Sequence, residues 1–195
     1  EFRRVLFRSS QPSIKLTDAD GNTVTNVSTG SVSVAVGTGA GGATAALSGT
    51  TTKSVASGVA NFSANALTLT GTVDTYTLTF TLGSYTSATQ DVTLLPGAAT
   101  KVVVTTGVAG FVNRTDFTTQ PVAKIQDASG NTVTTSTADV IVSISSGNLT
   151  GTTTVRAVNG IANWSTAATP LGKNGTVGPK TLTFASTGLT SDTTQ

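Results

Sequence analysis

The sequence predicts an all-β protein made of two tandem β-sandwiches, and three observations carry that prediction. Thr and Val alternate through much of the chain, and their branched Cβ atoms fit a pleated surface. Turn residues recur at roughly 8–12-residue intervals, the spacing expected of small sandwiches. A long internal repeat then divides the 195 residues into two similar halves. No sustained helical periodicity is present, and no apolar run approaches the ~20 residues needed to span a bilayer.

The opening segment, EFRRVLFRSS, shares no pattern with the rest. It lacks the apolar centre of a signal peptide. Residues 1–9 back-translate to a sequencing-adapter stretch, so Glu1–Ser9 is read as an adapter or cloning scar, expected to be disordered. The alternative is a short basic arm. Setting it aside changes the charge balance. The full chain has 11 Lys+Arg and 9 Asp+Glu; without Glu1, Arg3, Arg4 and Arg8 the balance is 8 against 8. The remaining cations are scattered, whereas a nucleic-acid binder clusters them. No nucleic-acid partner is expected. Charged residues make up only 10% of the chain, yet disorder is not expected. Disorder requires low hydrophobicity with high net charge, and here mean hydropathy is +0.15.

The repeat is the strongest signal. Gln120-Pro121 lies 109 residues after Gln11-Pro12, and DASGNTVT at 127–134 answers DADGNTVT at 18–25. Further on, SGTTTKSVASGVANF is answered by TGTTTVRAVNGIANW, and YTLTF by KTLTF. There the offset has fallen to 102 at Gly58/Gly160 and 104 at Phe80/Phe184. A longer loop in the first copy, GTGAGGATAA at 37–46, accounts for the change, since loops absorb insertions cheaply. DVTLL reads as the last strand of copy one and KVVVTT as the first strand of copy two. Only PGAA separates them, so the units are expected to sit end to end with restricted bending. The expected boundaries are 10–97 for the first domain and 98–195 for the second. The first is expected to lack its N-terminal strand and the second its C-terminal strand.

Within each copy the alternation assigns faces. Val32, Val34 and Val36 share one side of SVSVAV, and Val140, Val142 and Ile144 share one side of DVIVSI. Tyr76, Leu78, Phe80 and Leu82 face inward with Thr between them. Period two with Thr outside means one buried face and one wet face. ASGVANF and AVNGIANW read as tight hairpins with Gly58 and Gly160 at positive φ. Ala60, Phe62, Ala162 and Trp164 are then expected to point inward. In the repeated phrase, a strand ends at Leu16, the chain turns from Asp18 to Gly21, and pairing resumes at Thr23. Asp accepts from backbone N–H groups two residues on, and Gly takes the left-handed conformation.

TQPVAKIQDASGNTVTTSTADVIVSI, GTTTVRAVNGIANW and KTLTFASTGLTS together resemble the bacterial immunoglobulin-like repeats that stack in invasin- and intimin-like surface proteins. The resemblance covers most of residues 10–195. It implies two tandem immunoglobulin-like β-sandwich domains of seven strands, placed outside the cell or at a bacterial surface. It further implies a spacer or adhesive stalk whose partners are neighbouring repeats in the same chain, and an unknown surface ligand. It transfers no catalytic residue, and it departs from the family at the 37–46 insertion and at both ends.

Reactive chemistry is sparse. His and Cys are absent, which excludes Ser–His catalysis, thiol chemistry and Cys/His zinc sites. The few carboxylates fall in expected turns, and the chain is not expected to be an enzyme. DADGN opens like an oxygen-rich calcium loop, but Gly21 follows Asp20 directly and no Glu stands at the required distance. Copy two replaces Asp20 by Ser129. A structural turn is therefore the preferred reading, with Asp18, Asp20 and Asp127 as calcium candidates; no other cofactor is expected. GTGAGG has the spacing of a phosphate loop but no following Lys, and reads as a flexible insertion. Tyr85, Phe111 and Phe117 are the aromatics least certain to be core, with Phe111 and Phe117 expected to pin the 111–117 connection. Asn-x-Ser/Thr triplets such as Asn113-Arg114-Thr115 carry no weight in so Thr-rich a chain.

Three functions compete: the stalk, an accessory glycan-binding module of a secreted enzyme, and an immunoglobulin-like decoration of a phage virion.

Overall fold

In the computed structural model, residues 5–6, 11–63 and 67–194 are described, Val5 and Leu6 by backbone alone. The chain divides into two units, Glu1–Leu95 and Pro96–Gln195. The first contains β1 (Val5–Leu6), β2 (Ser13–Lys15), β3 (Ser31–Val36), β4 (Ala45–Ser48), β5 (Thr52–Ser54), β6 (Val59–Asn61), β7 (Thr68–Gly71), β8 (Asp74–Thr81) and β9 (Ala88–Leu94). The second contains β10 (Lys101–Thr106), β11 (Thr115–Asp116), β12 (Val122–Gln126), β13 (Asp139–Ile144), β14 (Asn148–Thr150), β15 (Thr154–Arg156), β16 (Ile161–Asn163), β17 (Gly172–Asn174), β18 (Leu182–Ala185) and β19 (Asp192–Thr194). Among the described residues the one helical element is a 3-10 turn, Trp164–Thr166.

Both units are antiparallel sandwiches of immunoglobulin-like arrangement. In the second, the sheets run β10-β12-β16, β11-β17-β14 and β15-β13-β18-β19. The first repeats this with β2-β6, β1-β7-β4 and β5-β3-β8-β9. The register repeats as well. Val34 pairs with Phe80 as Val142 pairs with Phe184, and Ile14 with Ala60 as Ala123 with Ala162. β10 alone has no described counterpart.

The opening segment set aside on sequence grounds is described only at Val5–Leu6. There the backbone forms a two-residue strand against Thr68 and Leu69, where β11 stands in the second unit. The rest of Glu1–Ser9 lies outside the described residues. Among the described residues the second unit shows no counterpart of Asp91–Leu95. Its last strand is nevertheless begun: β19 pairs Asp192–Thr194 with Leu182–Phe184 and corresponds to Ala88–Gln90. DVTLL is thus only the second part of a strand that starts at Ala88.

The alternation packs as the sequence predicts. Val32, Val34, Ala60, Phe62, Leu67, Leu78 and Phe80 form the core of the first unit, with Leu69, Tyr76 and Leu94 beside it. Val102, Ile125, Val140, Val142, Trp164, Leu182 and Phe184 lie at the heart of the second. Each hairpin before the inward aromatic is a type I′ turn with two positive φ angles, 47° and 74° at Ser57-Gly58 and 51° and 74° at Asn159-Gly160. A Cβ on Gly58 or Gly160 would also strike the carbonyl of Val24 or Val133, so Gly is required there twice over.

Tyr76, at the start of β8, is fully buried and donates its hydroxyl to the Thr72 carbonyl at 2.6 Å. A Tyr hydroxyl bonding backbone a few residues upstream is the tyrosine corner of immunoglobulin-like sandwiches. Burial, helped by the Asp74 charge, pushes the phenol pKa up. In the second unit Lys180 takes this position and reaches Thr176 Oγ1 and Ser146 Oγ instead.

Trp164 is 1% exposed and donates Nε1–H to the Thr152 carbonyl at 3.1 Å. Trp164→Ala is expected to destabilise the second unit by ~3–5 kcal/mol, read as a shift in its urea midpoint by circular dichroism. A loss below ~1 kcal/mol would contradict the packing described.

Candidate functional site

The side chains able to do chemistry cluster in three places: the repeated Asp turn, the Gly-rich loop and the end of the second unit near Phe111.

In the Asp turn, Asp18 Oδ1 accepts from the backbone N–H of Asp20 (3.0 Å) and Asn22 (2.8 Å), and Oδ2 from Asn22 Nδ2 (3.2 Å). The Asp18 N–H returns a bond to the Asn22 carbonyl, and Thr17 bridges Thr23. These bonds, the Asn22 backbone first, hold the Asp18 carboxyl below the ordinary carboxylate range. Asp127 repeats the arrangement with Asn131 N–H (2.8 Å) and Nδ2 (3.0 Å). Its Oδ2 also accepts from Gly97 N–H at 2.8 Å, tying down the PGAA segment. Asp127 is only 5% exposed. Burial pushes its carboxyl up, but donors from Asn131, Gly97 and Ser129 outweigh burial and the pKa is lowered.

Both oxygens of Asp18 and of Asp127 are therefore engaged by their own turns. Asp20 sits exposed, and it is the position Ser129 takes in the second copy. Among the described residues no group of three or more His, Cys, Asp or Glu side chains could hold a metal. In this geometry Asp18 and Asp127 brace their turns, and Asp20 occupies an exposed position in the first of them.

The Gly-rich loop is more ordered than its composition suggests. Gly39 N–H bonds the Ala43 carbonyl and Ala40 N–H the Thr75 carbonyl, both at 2.9 Å. The loop's N–H groups converge on Asp74, whose Oδ2 accepts from Gly41 (2.8 Å) and Ala43 (3.4 Å). Together with Thr75 N–H, the largest contributor, they lower the Asp74 pKa. A Cβ at Gly39 would collide with that carboxylate. The loop is an anion nest, but the anion is the protein's own side chain. The expected flexible insertion is thus a closed loop organised by a carboxylate some thirty residues away, a partner invisible to local sequence reading.

Of the three uncertain aromatics, Phe117 is core at 4% exposure, while Phe111 is 53% exposed. Their rings meet edge to face at 5.5 Å, so Phe111 pins the connection onto Phe117. Tyr85 is exposed. A hollow of about 310 Å³ beside Phe111 is lined by Asn113, Lys173, Val177, Pro179 and Lys180. A larger one, about 450 Å³, lies on the open side of the first unit between Ile14–Thr17 and Tyr85–Ala88. Neither the Tyr76 corner nor these hollows was foreseen. A Tyr opening the strand that precedes the last one was the available signal for the first.

No protein-family model matches the chain, and no curated protein matches it. Among solved structures, a β-glycosidase from Bacteroides vulgatus is similar at 12% identity and a TM-score of 0.44, over 85% of this chain and 21% of that one. A β-glucuronidase from Parabacteroides merdae is similar at 14% identity and 0.38, over 85% and 21%. The D0–D1 domain of intimin is similar at 14% identity and 0.34, over 93% and 84%. The chain spans about a fifth of the glycosidase chains it matches. Among the described residues no helix is long and apolar enough to cross a membrane.

Because its folded pKa is depressed, Asp127 stabilises the second unit fully above the unfolded value, ~3.9. That contribution is lost as pH falls through the lower folded value. Asp127→Ala is expected to cost ~1–3 kcal/mol at neutral pH by leaving buried donors unpaired, and to flatten the stability loss below about pH 4. Chemical denaturation across pH measures both. Asp18→Ala, at an exposed turn, should cost less.

Proposed function

We propose that this pair of sandwiches is a structural spacer, a non-catalytic segment of a bacterial extracellular repeat protein that holds a distal binding region away from the cell surface. One observation carries the reading. The same sandwich is built twice in register, and the Asp18 and Asp127 carboxylates of its repeated turns are engaged by backbone and Asn side-chain donors. Such units offer shape and resistance to unfolding rather than reactivity. Neighbouring repeats are then the chain's main partners, and its place is outside the cell or at the bacterial surface.

A spacer must resist pulling. Stretched from its ends in a single-molecule force experiment, the chain is expected to yield two discrete unfolding steps. Each should release roughly 300 Å of contour, from about 90 residues at ~3.5 Å each. Smooth extension without discrete steps would count against the proposal.

The hollow beside Phe111 supports a second reading, an accessory glycan-binding module. An exposed ring flanked by an amide and two amines suits an acidic sugar. On that reading the chain is retained on acidic polysaccharide and Phe111→Ala releases it. On the spacer reading neither protein is retained.

A further inference from the structure

Two strands of the second unit lie side by side and point the same way. β10 receives the chain from Gly97, and β19 is the last described strand. Lys101 and Thr190 form a parallel bridge. Among the described residues three hydrogen bonds join the pair. Thr190 N–H donates to the Thr100 carbonyl at 2.9 Å, Val102 N–H to the Thr190 carbonyl at 2.8 Å, and Val104 N–H to Asp192 Oδ2 at 2.8 Å. The first two are main-chain bonds. In the third a carboxylate takes the place of a carbonyl, and such charge-assisted bonds are roughly twice as strong as neutral ones.

That third bond falls where the register of β10 against β12 slips, between Val104 and Thr106. The side chain thus carries the join up to the irregularity. Asp192 Oδ1 accepts from Thr193 N–H at 2.8 Å, which fixes the direction of the carboxylate. Val102 is 2% exposed and Val104 packs against the same core. β10 therefore cannot slide along β19 without drawing two Val side chains out of apolar surroundings.

Tension along the chain pulls β10 toward Gly97 and β19 toward Gln195. Parallel strands meet those pulls as opposite forces along one axis. The bonds of a parallel pair are evenly spaced along it, so they share the force and fail together. Pulled apart from one end, the same strands would lose their bonds in turn. Forced unfolding follows the unfolding barrier rather than equilibrium stability, so a few well-placed bonds can set it.

We propose that the β10/β19 pair is the mechanical clamp of the second unit, and that Asp192 is the residue that completes it. This deepens the spacer reading and rests on it, since only a chain under tension calls on a clamp.

The chain contains no cysteine, so unique handles for single-molecule pulling can be placed in the full chain. One pair, Ala98→Cys with a cysteine added after Gln195, loads β10 and β19 in shear. The other, Ala98→Cys with Thr187→Cys, pulls the two strands from one end; Ala98 and Thr187 are both exposed. The second pair is expected to unfold the unit at roughly half the force of the first, because bonds then break one at a time. In shear, Asp192→Ala is expected to lower the force by about a third, the share of one bond in three. Val155→Ala is the control, on the opposite edge of the sheet that holds β19. It packs against the core, so it should lower the urea midpoint while leaving the shear force unchanged. Equal forces in the two directions, an unchanged force in Asp192→Ala, or an equal loss in Val155→Ala would each overturn the clamp. Discrete steps insensitive to Asp192 would overturn the clamp alone, whereas smooth extension would overturn it together with the spacer reading.

Discussion

One contact made twice holds each sandwich shut. In the second unit Trp164 meets Phe184 edge to face, with ring centroids 5.4 Å apart at 84°; in the first, Phe62 meets Phe80 at 6.0 Å and 62°. Each pair joins one sheet to the other, just after a type I′ hairpin aims the first ring inward. The chain has no cysteine, so no covalent tie shares this duty. Edge-to-face pairs contribute ~0.5–1.5 kcal/mol beyond their buried area, and removing that apolar area from water stabilises the sandwich by more than the ring geometry does. Everything else arranges itself around the pair: the glycines that make the hairpins, the Val rows that surround the rings, and the Thr rows left outside.

Much of this was legible because a strand's pattern is local. Val32/Val34 against Ser31/Ser33, and Leu78/Phe80 against Thr77/Thr79, fix both the element and its face with period two. The repeat made each assignment twice, so a reading of one copy checked the other. The Asp turns were legible for the same reason, since Asp18 and Asn22 lie four residues apart. What escaped was long-range. Asp74 organises a loop some thirty residues earlier in the chain, Tyr76 closes a corner through a backbone carbonyl, and Gly97 N–H finds Asp127 across 30 residues. Composition around Gly37–Gly42 suggested slack chain. The carboxylate that tightens it cannot be inferred without the fold.

The two copies also differ where similarity would mislead. Asp127 is buried and holds the segment leading into β10, while Asp18, in the same phrase, is exposed and, among the described residues, bonds its own turn. Tyr76 and Lys180 occupy one position and solve it differently, one by burying a ring and one by extending an amine to surface hydroxyls. Equal sequence thus gives equal backbone, whereas the tertiary partner decides what each side chain does.

Scarcity of charge makes its placement informative. Exposed sheet edges invite pairing with other chains, and a charged side chain on the edge is one common guard. The four outer strands of the two larger sheets each carry one: Lys53 on β5, Asp91 on β9, Arg156 on β15 and Asp192 on β19. In a chain with so few charged side chains, a quarter of the sixteen outside the opening segment stand on these edges. Asp192 differs from the rest because its carboxylate accepts a bond from β10, converting a guarded edge into a joined one. At the corresponding place the first unit has Ala88, neither guard nor acceptor, on the wall of its open groove. β9 keeps its charge three residues further on, at Asp91, whose carboxylate accepts from Thr77 Oγ1 at 2.7 Å, so the two corresponding edges each hold one carboxylate and put it to a different use.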